Sequence, residues 1–337
     1  MSTPSTLHAV IQPKPGIGDV IWHLAFIRAI AAVSPGGKVV FLAPPTSGAR
    51  ELLAAEPSVA EVVYFEHFGS ELRRGLNLIR LIGLLRRRRF AKIWILDRTI
   101  RPALAAFLAG IPERIGVGLT AQRLFITNAG IPQSNFHDFP IDWLVKLLAD
   151  LGVPLASTEP SLRVPSEALV GTGKKFAACP RPWIVLGLGG SHPDKDWPDP
   201  YWEEFLSGVR GLAGGTVFLI GGAAQIARAQ AFIAATTGAP AVNACDLKLT
   251  EAAALLQHSD LFLGTDSGPL NLAAATGTEA FGLFGGTPVL KYSKFIHPIV
   301  PEGGPMRGGM ARISAAQALE QIRPALSLRK QRAYAGN

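Results

Sequence analysis

Two short stretches hold residues suited to chemistry on a phosphorylated or hydroxyl-bearing molecule. One is Thr265-Asp266-Ser267-Gly268-Pro269, which follows the apolar run Leu261-Phe262-Leu263 and Gly264. It opens a helix-like run from Leu270 to Thr276 that Gly277 stops. The free N–H groups and positive dipole end of such a helix start suit a phosphate or another anion. Pro269 fits the first turn and Ser267 or Asp266 can cap it, so an ordinary capped βαβ unit is the competing reading. The other stretch is the Gly- and Pro-rich turn from Gln12 to Asp19. Its glycines let another molecule approach the backbone. Asp19 is either a helix cap or a carboxylate projecting from a strand-end loop, where it could take a proton as a general base.

Both stretches need strands and helices to hold them. Residues 7–11 read as a buried strand, and Val20 to Val33 as a helix with apolar positions at 20, 21, 24, 27, 30 and 31. Further strands are expected at 38–43, 59–65 and 92–96, with helices at 46–55, 69–90 and 102–110. Residues 111–138 look irregular, and His137-Asp138, polar residues that could belong to a site, precede a helix at 139–152. The stretch 153–182 lacks periodicity and is rich in Pro, Ser and Gly, so the interdomain linker is placed at 161–182. A second series follows, with strands at 183–188, 216–220, 241–243, 261–263 and 280–284. Helices alternate with them at 201–212, 223–236, 250–257 and 270–276, and 315–328 closes the chain before a frayed tail at 329–337. The expected architecture is α/β: two Rossmann-like domains, 1–160 and 183–328, facing a central cleft.

A chain of 337 residues favours two domains over one core. Its 48% apolar and 17% charged content is globular rather than disordered. Cys179 and Cys245 are too few for a disulfide framework or a cysteine-rich metal site, which suits a reducing cytoplasm. The first residues lack the basic-then-apolar pattern of a signal peptide, and no apolar run reaches the length of a membrane span.

The net charge of +8 favours acidic partners. It concentrates between residues 69 and 101, where ten Lys and Arg stand against two acids, Glu71 and Asp97. Leucines and isoleucines alternate with Arg73, Arg74, Arg80 and Arg86 to Arg89. A solvated helix face is one reading; a surface for an anionic membrane or acceptor is the other. Aromatics are sparse there and no nucleic-acid motif occurs, so nucleic acid is not expected as a partner.

Three motifs together carry a family resemblance. They are Pro15-Gly16-Ile17-Gly18-Asp19-Val20-Ile21, then Lys195-Asp196-Trp197-Pro198 with Tyr201-Trp202, then Gly264 to Pro269 with Leu272-Ala273-Ala274-Ala275 and Leu283 to Thr287. In order, spacing and length, from about residue 7 to 328, the chain resembles the bacterial ADP-heptose–lipopolysaccharide heptosyltransferases, glycosyltransferase family nine of the GT-B fold. The resemblance implies an acceptor-binding N-terminal domain and a nucleotide-sugar-binding C-terminal domain. Asp19 would be the general base on the acceptor hydroxyl, and Lys195 would neutralise the donor phosphate. Gly190 and Ser191 would form the adjoining phosphate loop, and Asp266, Ser267 and Gly268 would meet the donor sugar and pyrophosphate. Where family members often carry His this chain has Asn271, and where an acid often holds the ribose it has Ala223-Ala224-Gln225-Ile226, with Gln225 as the substitute. Gly18, Arg73, Arg74, Arg98 and Arg101 complete the expected acceptor contacts.

The implied activity is inverting, metal-independent transfer of a sugar, heptose first, from a nucleotide-sugar to a lipopolysaccharide core or related anionic glycolipid. No cofactor is expected beyond an ADP-heptose-like co-substrate. The expected location is the cytoplasmic surface of the inner membrane. A nucleotide-sugar epimerase, a transferase with another donor and a catalytically silent GT-B binding protein are the alternatives.

Overall fold

Apolar runs form the central strands, as parallel sheets covered on both faces require. The computed structural model describes residues 8–66, 71–190 and 192–335. The chain divides into two compact units, Met1–Pro160 and Ser161–Asn337, each with its own sheet.

The first unit contains β1 (His8–Ile11), α1 (Ile17–Ala32), β2 (Val39–Ala43), α2 (Ala49–Leu52), β3 (Val59–Tyr64) and α3 (Glu71–Arg88). β4 (Lys92–Ile95), α4 (Ile100–Leu108), β5 (Glu113–Gly116) and α5 (Pro140–Asp150) follow. The strands pair in parallel in the order β3-β2-β1-β4-β5. The chain walks outward from β1 to β3, then returns to lay β4 beside β1. Ligands in such sheets bind beyond the strand ends at this reversal, and the loops after β1 and β4 open there. Ala9, Ile11, Val40, Leu42, Ile93 and Ile95 belong to one buried cluster, onto which Leu81 and Leu85 of α3 pack.

The second unit begins with α6 (Ser166–Lys175), β6 (Trp183–Gly187), α7 (Asp199–Ala213), β7 (Thr216–Ile220), α8 (Ile226–Ala235) and β8 (Ala241–Asn243). It continues with α9 (Leu249–His258), β9 (Leu261–Thr265), α10 (Gly268–Ala275), β10 (Ala280–Leu283), β11 (Ile296–Ile299) and α11 (Ala315–Ala335). Its sheet is also parallel, ordered β11-β10-β9-β6-β7-β8, with the reversal between β6 and β9. All five residues of β6, β7 and β9 are buried.

Four sequence expectations change. The stretch read as a linker at 161–182 lies in the second compact unit and carries α6, which packs on α9. The irregular stretch at 111–138 includes β5, a four-residue edge strand whose Glu-Arg-Ile-Gly sequence shows no apolar run. β11 was also absent from the sequence reading; it holds Pro298, which argues against a strand except at an edge, where β11 lies. The tail read as frayed continues α11 to Ala335, through Leu, Arg, Lys, Gln and Ala, which all favour helix. Residue 7, Gly69 and Ser70, the outer ends of an expected strand and helix, lie outside the described residues. No helix among the described residues is long and apolar enough to cross a membrane.

Candidate active site

In the second unit the reversal between β6 and β9 gathers the motif residues. Lys195, from the loop after β6, places its Nζ 2.7 Å from Asp266 Oδ2 and 3.3 Å from the Asp266 carbonyl, just after β9. Thr287, from the loop after β10, donates its hydroxyl to the same Oδ2 at 2.8 Å. Thr265 Oγ1 donates to the Gly189 carbonyl at 3.0 Å. Three loops are thus tied together by hydrogen bonds, three of them charge-assisted.

Glycines set how closely these loops approach. Gly189 has φ +76°, and a Cβ there would lie 2.9 Å from Gln225 Nε2. Gln225 is therefore lodged against the loop. A Cβ at Gly190 would come within 2.8 Å of Lys195 Cβ. Deeper down, Gly187 of β6 sits in register with Gly264 of β9. The fully buried Phe262 ring fills the space beside both: a Cβ at Gly187 would be 2.5 Å from Phe262 Cζ, and one at Gly264 2.6 Å. Ser191 lies outside the described residues.

A residue that the sequence reading missed holds the lysine loop. Arg228 of α8 bonds Asp196 Oδ2 at 2.9 Å through Nη1 and Asp199 Oδ1 at 2.9 Å through Nε. Its Nη2 donates to the Trp197 carbonyl at 3.3 Å. The buried Trp197 in turn donates Nε1 to the Ile313 carbonyl at 2.8 Å. An arginine on a later helix carries no local signal, since its partners lie about thirty residues earlier.

The start of α10 has no side-chain cap on its amides. Ser267 turns its hydroxyl back onto the Thr265 carbonyl at 3.0 Å. Asn271 is buried and donates Nδ2 to the Ser267 carbonyl at 3.1 Å. Among the described residues the Gly268 amide has no acceptor, which leaves it open to another.

In the first unit α1 begins at Ile17, so Asp19 is not the helix cap but the third helical residue. Its Oδ2 accepts the Gly16 N–H at 3.2 Å, and Oδ1 has no partner among the described residues. Gly18 stands beside it in the same first turn. His23, one turn on, is buried with one ring nitrogen against the Asp19 carbonyl and Nε2 3.2 Å from the Leu96 carbonyl. It joins the start of α1 to the end of β4. Burial lowers its pKa below the ordinary 6.5, outweighing the pull of the Asp19 carbonyl. A neutral ring donates from one nitrogen only.

Beyond β1 and β4 lies a hollow of about 550 Å³ whose lining includes Lys14, Asp97, Arg98, Thr99, Phe136 and Trp143. His137 and Asp138 also line it. An adjoining hollow of about 460 Å³ adds Arg101 and Thr120. Lys14 Nζ lies 3.6 Å from Asp97. The Arg98 guanidinium stacks 4.3 Å from the Phe136 ring centre and 5.2 Å from that of Trp143. Fully buried Gln122 donates to the Asp97 and Thr99 carbonyls at 2.7 and 3.0 Å, bracing the turn that presents Arg98. Phe136 and Gln122 were missed from sequence because they come from the stretch that read as irregular, and Trp143 because it reads as a core residue of the helix that follows. Arg73 is exposed on α3 and lines neither hollow, while Arg74 lines a smaller one with Glu66, Asn77 and Arg101.

Neither cysteine adds to these sites. Cys245 is buried, and burial followed by Asp246 pushes its thiol up to about 11.

Comparison with known proteins gives this geometry its context. The family model described as glycosyltransferase family 9 (heptosyltransferase) matches residues 78–300. A lipopolysaccharide heptosyltransferase 2 of Salmonella typhimurium is 25% identical over 333 residues, covering 94% of each chain. The structure of Escherichia coli ADP-heptose LPS heptosyltransferase II superposes with a TM-score of 0.77 at 22% identity, covering 96% of this chain and 99% of that one. Escherichia coli heptosyltransferase WaaC with ADP-2-deoxy-2-fluoro heptose gives a TM-score of 0.70 at 16% identity, covering 94% and 99%. The two parallel sheets are those of the GT-B fold. The chain belongs to glycosyltransferase family 9, the heptosyltransferase family, and is a glycosyltransferase.

Proposed function

We propose that this protein is an inverting, metal-independent heptosyltransferase that moves heptose from ADP-heptose to the anionic core of a lipopolysaccharide. It would act at the cytoplasmic surface of the inner membrane. The observation that carries the reading is Lys195, held by an Asp266 carboxylate that Thr287 also bonds, at the reversal between β6 and β9 beside the uncapped start of α10. A cation and free amides at one loop cluster suit a diphosphate. The names of the relatives, and the ADP-sugar ligand of the WaaC structure, support heptose as the sugar and adenine as the base.

In this reading Asp19 takes the proton from the acceptor hydroxyl as that oxygen attacks the anomeric carbon. Attack comes from the face opposite the ADP, so the configuration inverts. The bond to ADP breaks and its electron pair leaves on the β-phosphate. Lys195 and the α10 amides meet that growing charge without a metal. Gly190, Ser191, Gln225, Asp266, Ser267, Gly268 and Asn271 complete the donor side. Gly18 adjoins the base, and Lys14, Arg98 and Arg101 face the acceptor's phosphate or carboxylate groups. Phe136 and Trp143 offer its sugar rings an apolar shelf. Arg73 and Arg74 would reach further along the acceptor.

The test is to incubate purified protein with ADP-, UDP- and GDP-sugars and a deacylated lipopolysaccharide core, with and without EDTA. Heptosyl transfer from ADP-heptose alone, with inverted configuration by NMR and no loss in EDTA, is the expected result. Preference for another donor, donor epimerisation without transfer, or loss of activity in EDTA would overturn it.

A further inference from the structure

The outer face of α3 has an arrangement that the transferase chemistry does not use. The helix advances about 100° per residue. Leu81 and Leu85 are buried on the core side. On the opposite side, Leu76 is 48% and Ile79 66% exposed, in line with the half-buried Gly83. The spacing of 76, 79 and 83 makes a narrow apolar stripe pointing away from the core. Arginines border it on both sides: Arg86 on one, and Arg80 and Arg87 on the other, all exposed. Among the described side chains no acid lies in the stripe or its border.

The stripe does not end with α3. α4 packs beside it, and Arg86 Nη2 donates to the Leu108 carbonyl at 2.8 Å. Phe107 and Leu108, at 48% and 42% exposure, extend the apolar surface past Arg86. Nearby carboxylates are turned elsewhere: Glu61 is paired with Arg88, on the core side of the helix, and Glu66 lines the hollow beneath Arg74.

We propose that the outer face of α3, with the end of α4, docks on a bilayer rich in anionic phospholipid, Leu76 and Ile79 entering the headgroup boundary. Charge complementarity selects the occupant. Arginine stems can lie along apolar surface while their heads reach lipid phosphates. A nucleic-acid surface would need no central apolar stripe. The proposal deepens the membrane-surface part of the proposed function.

The test is flotation of the full-length protein with vesicles of phosphatidylglycerol and phosphatidylcholine, or of phosphatidylcholine alone. Neither donor nor acceptor is present, so this result and the transfer result can fail separately. The wild type should bind only the anionic vesicles, and less as salt rises. The pair Leu76→Ser and Ile79→Ser should weaken binding about tenfold or more. Arg80→Gln with Arg87→Gln should weaken it similarly and flatten its salt dependence. Both pairs should keep wild-type melting temperature and transfer to the deacylated acceptor, since their side chains are exposed. Ile79→Trp should be quenched by brominated anionic vesicles. Unchanged affinity in either pair, equal binding to neutral vesicles, no quenching of Ile79→Trp, or tighter binding to single-stranded RNA than to anionic vesicles would overturn the proposal.

Discussion

The Lys195 ammonium lies 2.7 Å from the Asp266 carboxylate, so the cation proposed for a donor phosphate is already held by an anion. The pair spans the reversal between β6 and β9, and Thr287 bonds the same oxygen. A second anion arriving there shares the lysine rather than having to order it. Lys195→Ala should lower kcat by about a hundred- to a thousandfold, the usual cost of removing one charge-stabilising donor. Lys195→Arg should recover part of it. Steady-state kinetics with ADP-heptose check this, and an unchanged kcat in Lys195→Ala would remove the lysine from the mechanism.

Asp19→Asn keeps the acceptor for the Gly16 amide but loses the base. Its kcat should fall by about two to four orders of magnitude. Calorimetry with ADP should give an unchanged donor affinity, because Asp19 belongs to the first unit. Full activity in Asp19→Asn would exclude the carboxylate as base.

Arg228→Met should loosen the loop that carries Lys195. Its partners Asp196 and Asp199 are partly exposed, which discounts the charge term, so the expected loss of stability is about 1 kcal/mol. The donor KM should rise more than kcat falls, since Arg228 acts on the position of Lys195 rather than on the reacting atoms. Equal kinetics for variant and wild type would leave the clamp without consequence for the site.

His23 should make the first unit sensitive to mild acid. Its folded pKa is lowered by burial, so the unfolded chain binds the proton first. The stability it contributes is complete above about pH 6.5 and is lost as pH falls from there through the lowered folded value. His8, also lowered chiefly by burial, acts with the same sign. Urea unfolding at pH 7.5 and 5.5 should show the decline, and His23→Gln should show a smaller one. Equal slopes would mean that the ring does not titrate on unfolding.

Much of the frame was legible because buried parallel strands are plain apolar runs ending in glycine turns. Thus β1, β6, β7 and β9 could be read from sequence, and so could the strand-end loops that hold Lys195 and Asp266 and lead into the helix turn of Asp19. Edge strands carry weaker patterns: β5 is half charged and β11 contains Pro298. Pairing partners distant in sequence left no mark at all. Nothing near Arg228 signals Asp196, and nothing near Gln122 signals the turn at Asp97. The start of α1 was misread for a local reason: Gly16 and Gly18 suggest a turn, while the Asp19 carboxylate on the Gly16 amide draws that turn into the helix.

Gly187, Gly264 and Phe262 bear on how this chain can vary. One aromatic ring occupies the room of two side chains on neighbouring strands, so neither glycine can be replaced alone without displacing a ring that has nowhere to go. A lineage that shrinks residue 262 first opens a cavity, and one that enlarges a glycine first meets a clash. Each single step costs packing, and even with a smaller residue at 262 a Cβ at Gly264 would meet the Gly187 carbonyl at 3.0 Å. Drift is thereby channelled into the loops above, where substrate preference can change while the floor beneath them stays the same.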